Sequence, residues 1–121
     1  SRSPLPLPSL WDGLGRAVPG ARSALLMAAT GEPVLGAGDG DDRDALLAAY
    51  QGIALARVRR FADRFGGGTL RYVVSRHQAG HVVLRPLRNG YYLVLTLGPD
   101  ADVGRSVHVS ALTQERMDQE L

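Results

Sequence analysis

The 121-residue chain has no cysteine, and none of its 14 basic residues is lysine. Without cysteine there are no disulfides and no thiolate metal sites, and nothing points to an oxidising compartment. Arginine as the only strong base, beside abundant alanine, glycine and valine, reads first as the codon bias of a GC-rich genome. Selection for bidentate contacts is the second reading. A formal net charge of +2 is too small to imply a nucleic-acid partner without a basic face. No apolar run approaches the ~20 residues of a membrane span. The amino-terminal residues carry Pro4, Pro6 and Pro8 where a signal peptide needs a continuous apolar stretch. A cytoplasmic protein with a flexible, polyproline-like arm over residues 1–8 and one domain over 9–121 is the expectation.

Apolar patterning and turn residues give an order of elements. Ser9 can cap a short helix over 10–17, stopped by Pro19-Gly20. Residues 23–37 read as a hairpin folded at Thr30-Gly31. A long helix over 42–64 has Asp41 as its cap and ends at Gly66-Gly67-Gly68. Three strands follow, over 69–76, 81–87 and 91–97, the last two joined by Asn89-Gly90, a strong type I′ signal. A closing helix starts at Asp100 or Asp102, with Val103, Val107, Ala111 and Met117 as its expected inner stripe.

The same patterns order the sheet. The stretches 24–29 and 91–97 have no polar face and belong at its centre. Hairpin connections then place the other strands, giving the antiparallel order 2-1-5-4-3. The long helix covers one face and the two terminal helices cover the other. Strand 2 is an edge blocked by Pro33 and its glycines. Strand 3 is an edge without proline, rich in tyrosine and valine. Its residues Arg71, Tyr72, Val73 and Val74 are expected to meet a second copy across a two-fold axis. The alternative is a monomer whose edge is kept soluble by Arg71 and Arg76.

On the long helix, Leu46, Leu47, Tyr50, Ala54, Val58, Phe61 and Phe65 fall on one side at a 3.6 period and are the expected core face. Opposite them lie Ala45, Ala49, Gly52 and Ala56, small residues that would let another helix approach. Gly52 costs ~1 kcal/mol relative to alanine in a helix unless something requires it. An alanine-rich solvated face is the plainer alternative.

No segment has the spacing of a catalytic or metal motif. His77 and His81 flank one turn but are two ligands where zinc uses three or four, so they read as exposed turn residues. Asp39, Asp41, Asp42 and Asp44 lack the calcium-loop spacing and suit a helix amino terminus. The glycine triplet lacks the Lys-Ser/Thr ending of a phosphate loop. No serine sits in a nucleophile elbow. Trp11 is expected under the first helix. Arg57, Arg59, Arg60 and Arg64 complement the helix dipole, or present a positive patch to an acidic partner. The chain is expected to be no enzyme, with no cofactor and no metal.

Together these residues carry a resemblance. Leu14, Val18-Pro19-Gly20, Ala24-Leu25-Leu26, Gly31-Glu32-Pro33-Val34 and the alanine-rich helix are similar to the Roadblock/LC7 family. Phe65-Gly66-Gly67-Gly68, Asn89-Gly90-Tyr91-Tyr92-Leu93-Val94 and Pro99-Asp100-Ala101-Asp102-Val103-Gly104 continue it, most like bacterial members. The resemblance implies an α+β, profilin-like αββαβββα domain that dimerises through its long helix and third strand. It also implies an adaptor that binds and regulates a Ras-like small GTPase, with Arg59 and Arg60 as expected partner contacts. A small-ligand sensor and a purely structural assembly subunit are the alternatives. Pro86 departs from the family pattern and is expected to bulge its strand.

Overall fold

The computed structural model describes residues 7–38, 52, 54–61, 63, 64, 66 and 68–121. The expected acidic cap at 39–44, Ala45, Leu46, Leu47, Ala49, Tyr50, Phe65 and the first six residues of the arm lie outside that set.

Helix α1 spans Leu7–Ala17, strand β1 Ala21–Met27 and β2 Pro33–Gly38. The long helix α2 is helical at 52, 54–61, 63 and 64. Then come β3 (Val73–His77), β4 (Gly80–Pro86), β5 (Tyr92–Leu97) and α3 (Val103–Glu120). The five strands form one antiparallel sheet of order β2-β1-β5-β4-β3, as the apolar patterning predicts. Helix α1 begins before the expected start because Pro8, which has no N–H, is tolerated in a first turn. Ser9 therefore lies inside the helix and not at its cap.

Alternation along the central strands divides the core in two. Leu26, Val83, Leu93, Leu95 and Leu97 pack with Leu14 and Val18 of the α1 segment and with Val103 and Met117 of α3. On the other face Met27, Val82, Leu84, Tyr92 and Val94 pack with Leu55 of α2. Every residue of β5 is buried, as a strand without a polar face requires. Two polar residues on the α2 side satisfy each other: Ser23 and Thr96 are cross-strand neighbours whose hydroxyls lie 2.5 Å apart.

Several expectations are corrected. β3 has five residues and begins at Val73, so Arg71 and Tyr72 precede it. Pro86 closes β4 opposite Tyr92 in unbroken register, where its missing N–H interrupts no continuing ladder. The bulges lie instead along β1, at Leu26/Met27 toward β2 and at Ala21/Ser23 toward β5. Between β4 and β5, Asn89 (φ 60°) and Gly90 (φ 80°) both take the left-handed conformation that the expected turn demands. The turn is tied to the end of α3 by Arg88 N–H to Asp118 (2.9 Å) and Asn89 Nδ2 to the Leu121 carbonyl (2.8 Å).

Helix α3 is capped by Asp102, whose carboxylate accepts the Arg105 N–H at 3.0 Å. Its inward face is Val103, Ser106, Ser110, Thr113 and Met117, while Val107 is half-buried and Ala111 exposed. Small hydroxyl residues take this face because Ser106 and Ser110 donate back to the Val103 and Val107 carbonyls at 2.6 and 3.1 Å, so their burial leaves no bare donor.

Candidate functional site

Rotation of α2 about its axis determines what the molecule offers to partners. Leu55, 4% exposed, seats the helix on the sheet. Gly52 also faces the sheet, so close to Tyr92 of β5 that a side chain at 52 would overlap the tyrosine hydroxyl. The expected core face is therefore corrected. Ala54 is exposed, Val58 is 39% exposed and Phe61 is 65% exposed. At about 100° per residue, this stripe and Ala56 flank the buried line on opposite sides. The reason is steric, because glycine at 52 lets the helix settle onto a tyrosine where a larger residue would lift it.

Of the interface residues expected from sequence, Gly52 packs inward and Ala56 is exposed. Val73 and Val74 are half-buried in β3, pointing to opposite faces, and Arg71 and Tyr72 are exposed, Tyr72 by 43%. β3 pairs with β4 alone among the described strands. Its outer edge is the one the sequence expected to be open.

Arg57, Arg60 and Arg64 share one exposed surface of α2, and Arg59 stands apart from them. Arg59 lines a groove of about 640 Å³ with Asp63, Gly68 and Leu70. Arg60 and Arg57 line a different cleft of about 450 Å³, between α2 and the β1–β2 turn at Thr30-Gly31, whose inner wall includes Tyr92. The Tyr92 hydroxyl is buried and has no hydrogen-bond partner among the described residues. Desolvation raises its pKa above the ordinary phenol value, so it stays a protonated donor.

A second buried polar group, Arg85 of β4, was not visible as special in the sequence. Its Nε donates to Ser110 Oγ (2.8 Å), Nη1 to Gln114 Oε1 (2.9 Å) and Nη2 to the Val107 carbonyl (2.5 Å). Its guanidinium carbon lies 5.0 Å from the centre of the Tyr72 ring, a cation–π arrangement. Burial lowers its pKa, and Tyr72 opposes that shift. The partners are neutral and fully committed, which makes Arg85 a clamp between sheet and α3.

His81 is buried, contrary to the expectation of an exposed turn residue. The His77 N–H donates to its Nδ1 (3.4 Å), and its Nε2 lies 3.1 Å from the Pro99 carbonyl, which selects the Nε2–H tautomer. Among the described residues no three histidine, aspartate or glutamate side chains converge into a metal site. None of the described helices is long and apolar enough to cross a membrane.

A five-stranded antiparallel sheet of order 2-1-5-4-3, with α2 on one face and α1 and α3 on the other, is the architecture of a Roadblock/LC7 domain. No protein-family model matches the sequence, and no curated protein matches it. Solved structures do match. The Roadblock/LC7 domain from Streptomyces avermitilis is 26% identical, with a TM-score of 0.78 over 90% of this chain and 92% of that one. The gliding protein MglB from Thermus thermophilus is 17% identical, with a TM-score of 0.79 over 92% of this chain and 84% of that one. MglC from Myxococcus xanthus is 24% identical, with a TM-score of 0.64 over 91% of this chain and 94% of that one. The chain has the Roadblock/LC7 fold, as the sequence resemblance predicts.

Proposed function

We propose that this protein is a homodimeric, cytoplasmic Roadblock/LC7 adaptor that binds a Ras-like small GTPase and alters its hydrolysis rate or location. The observation that carries the reading is the exposed stripe Ala54, Val58 and Phe61 on α2. Covering the part of the valine and phenylalanine side chains still exposed contributes roughly 25 cal/mol per Å² of apolar area removed from water, and a helix of the same sequence presents a matching stripe. The β3 edge supports the same assembly, since two such edges meeting about a two-fold axis extend one sheet across both subunits. This reading moves the helix contact from the small-residue line to the apolar stripe and keeps the strand contact.

The GTPase part rests on the fold and on what the family resemblance implies. Arg57, Arg60 and Arg64 are exposed along α2 and give that side positive charge for an acidic partner surface. The adaptor would act by orienting the GTPase's own catalytic groups, so it needs no catalytic residues itself. Light scattering at micromolar concentration is expected to give twice the mass of one chain. A Ras-like GTPase encoded beside this protein is expected to be retained on it with an affinity that depends on the bound nucleotide. The mass of one chain would remove the dimer, and equal or absent retention in the GTP and GDP states would remove the regulatory role.

A further inference from the structure

We propose that the cleft between α2 and the β1–β2 turn binds a small ligand through an oxyanion, a carboxylate or a phosphate group. An unmet hydrogen bond and a helix glycine meet at one point of this cleft. Tyr92 is 2% exposed, and its hydroxyl has no hydrogen-bond partner among the described residues. A buried polar group left this way costs ~1–3 kcal/mol, and native proteins contain few of them. Directly over it α2 carries Gly52, a residue that weakens a helix by ~1 kcal/mol relative to alanine. The glycine is required by the tyrosine packed against it; the hydroxyl's cost acquires a reason if an acceptor atom reaches it from the cleft and takes its proton in a hydrogen bond.

The walls say what that acceptor is. Tyr92 stays protonated, so it donates. Arg57 and Arg60 line the same cleft and bring two guanidinium groups, which favour a negatively charged oxygen and disfavour a cation. The other wall is the Thr30-Gly31 turn, with small side chains. A volume of about 450 Å³ lies within the range of small-molecule sites. The cleft opens on the Ala56 side of α2, across the helix from the Ala54, Val58 and Phe61 stripe. It therefore goes beyond the adaptor reading and is tested on the chain alone.

The test titrates inorganic phosphate, phenyl phosphate and benzoate into the full chain at constant ionic strength, with benzyl alcohol as the uncharged control. Calorimetry and amide chemical shifts are the readouts. At least one anion is expected to bind saturably, with shifts centred on Thr30, Gly31 and Gly52, and benzyl alcohol is not. Phosphates without benzoate assign a phosphate ligand, benzoate without phosphates a carboxylate, and both together the shared oxyanion.

Tyr92→Phe is expected to weaken binding about tenfold or more, the loss of one hydrogen bond to a charged group. It should not lower the unfolding temperature, because it removes a hydroxyl with no partner among the described residues. Exchanging both Arg57→Gln and Arg60→Gln weakens binding at least as much, whereas Arg16→Gln on α1 leaves it unchanged. Absence of saturable binding by all three anions, or shifts centred elsewhere, overturns the proposal. So does affinity unchanged in Tyr92→Phe or, should that variant not fold, unchanged in the arginine pair.

Discussion

Arg85 Nε donates to Ser110 Oγ at 2.8 Å, so a cation from the middle of the sheet is held by a helix hydroxyl and not by a carboxylate. Arg85→Ala would leave a cavity and take away the donor of the Gln114 Oε1 acceptor, while the Val107 carbonyl keeps the Ser110 hydroxyl. A loss of ~3 kcal/mol is expected, read as a lower urea midpoint with unchanged slope. Arg85→Met refills the volume and should cost less. Arg85→Lys should not restore the wild type, because an ammonium cannot span the same three acceptors.

Tyr92 gives the fold an alkaline weakness. Its ordinary pKa is 10.0, and burial raises it in the folded state. Above about pH 10 the unfolded chain releases this proton and the folded chain keeps it, so stability falls as pH rises through the folded value. Below that range the group contributes no slope. In Tyr92→Phe this part of the alkaline loss disappears, which thermal melts between about pH 9 and pH 11 would show as a smaller decline than the wild type. Equal declines would contradict the assignment.

Gly38 ends β2 at φ +88°, with space for no side chain: a Cβ there would lie 2.5 Å from the Arg22 carbonyl and 2.6 Å from the Trp11 ring. Gly38→Ala combines a disfavoured backbone with a displaced indole and should lose ~2 kcal/mol or more. Trp11, the chain's single tryptophan, reports the change directly. Its emission should shift to the red as α1 lifts from the β2 end.

Val58→Glu places a charge on the stripe proposed to meet a twin helix, at a position already exposed within one subunit. The circular dichroism spectrum should therefore be retained while light scattering moves from two chains toward one. Ala56→Glu, on the opposite flank, should leave the mass unchanged. If Ala56→Glu dissociates the protein and Val58→Glu does not, the helix contact lies on the small-residue line expected from sequence.

The legible part of the fold was what one strand or turn carries by itself. Residues 24–29 and 91–97 lack a polar face and so belong at the centre, Asn89-Gly90 has to turn, and one of Asp100 and Asp102 has to start α3, the structure choosing Asp102. α2 was harder because it has alanine, leucine, valine or phenylalanine on nearly every side, so a 3.6 period fits more than one face. Among the described residues, Leu55 and the approach of Gly52 to Tyr92 select among them. On α3 Val103 and Met117 of the expected stripe are buried, yet Ser106, Ser110 and Thr113 fill the line between them where Val107 and Ala111 are expected. Hydroxyls that bond back to their own helix register as polar in a sequence and as small packing groups in a core.

Element order, strand order and the turn positions were thus determined by the sequence itself, because alternation, capping and glycine placement act over a few neighbouring residues. The face α2 turns to the sheet, the burial of Arg85 and the burial of the Tyr92 hydroxyl without a partner among the described residues were decided by the tertiary structure. Each depends on residues far apart in the chain, 52 with 92 and 85 with 110 and 114, whose approach no local pattern encodes.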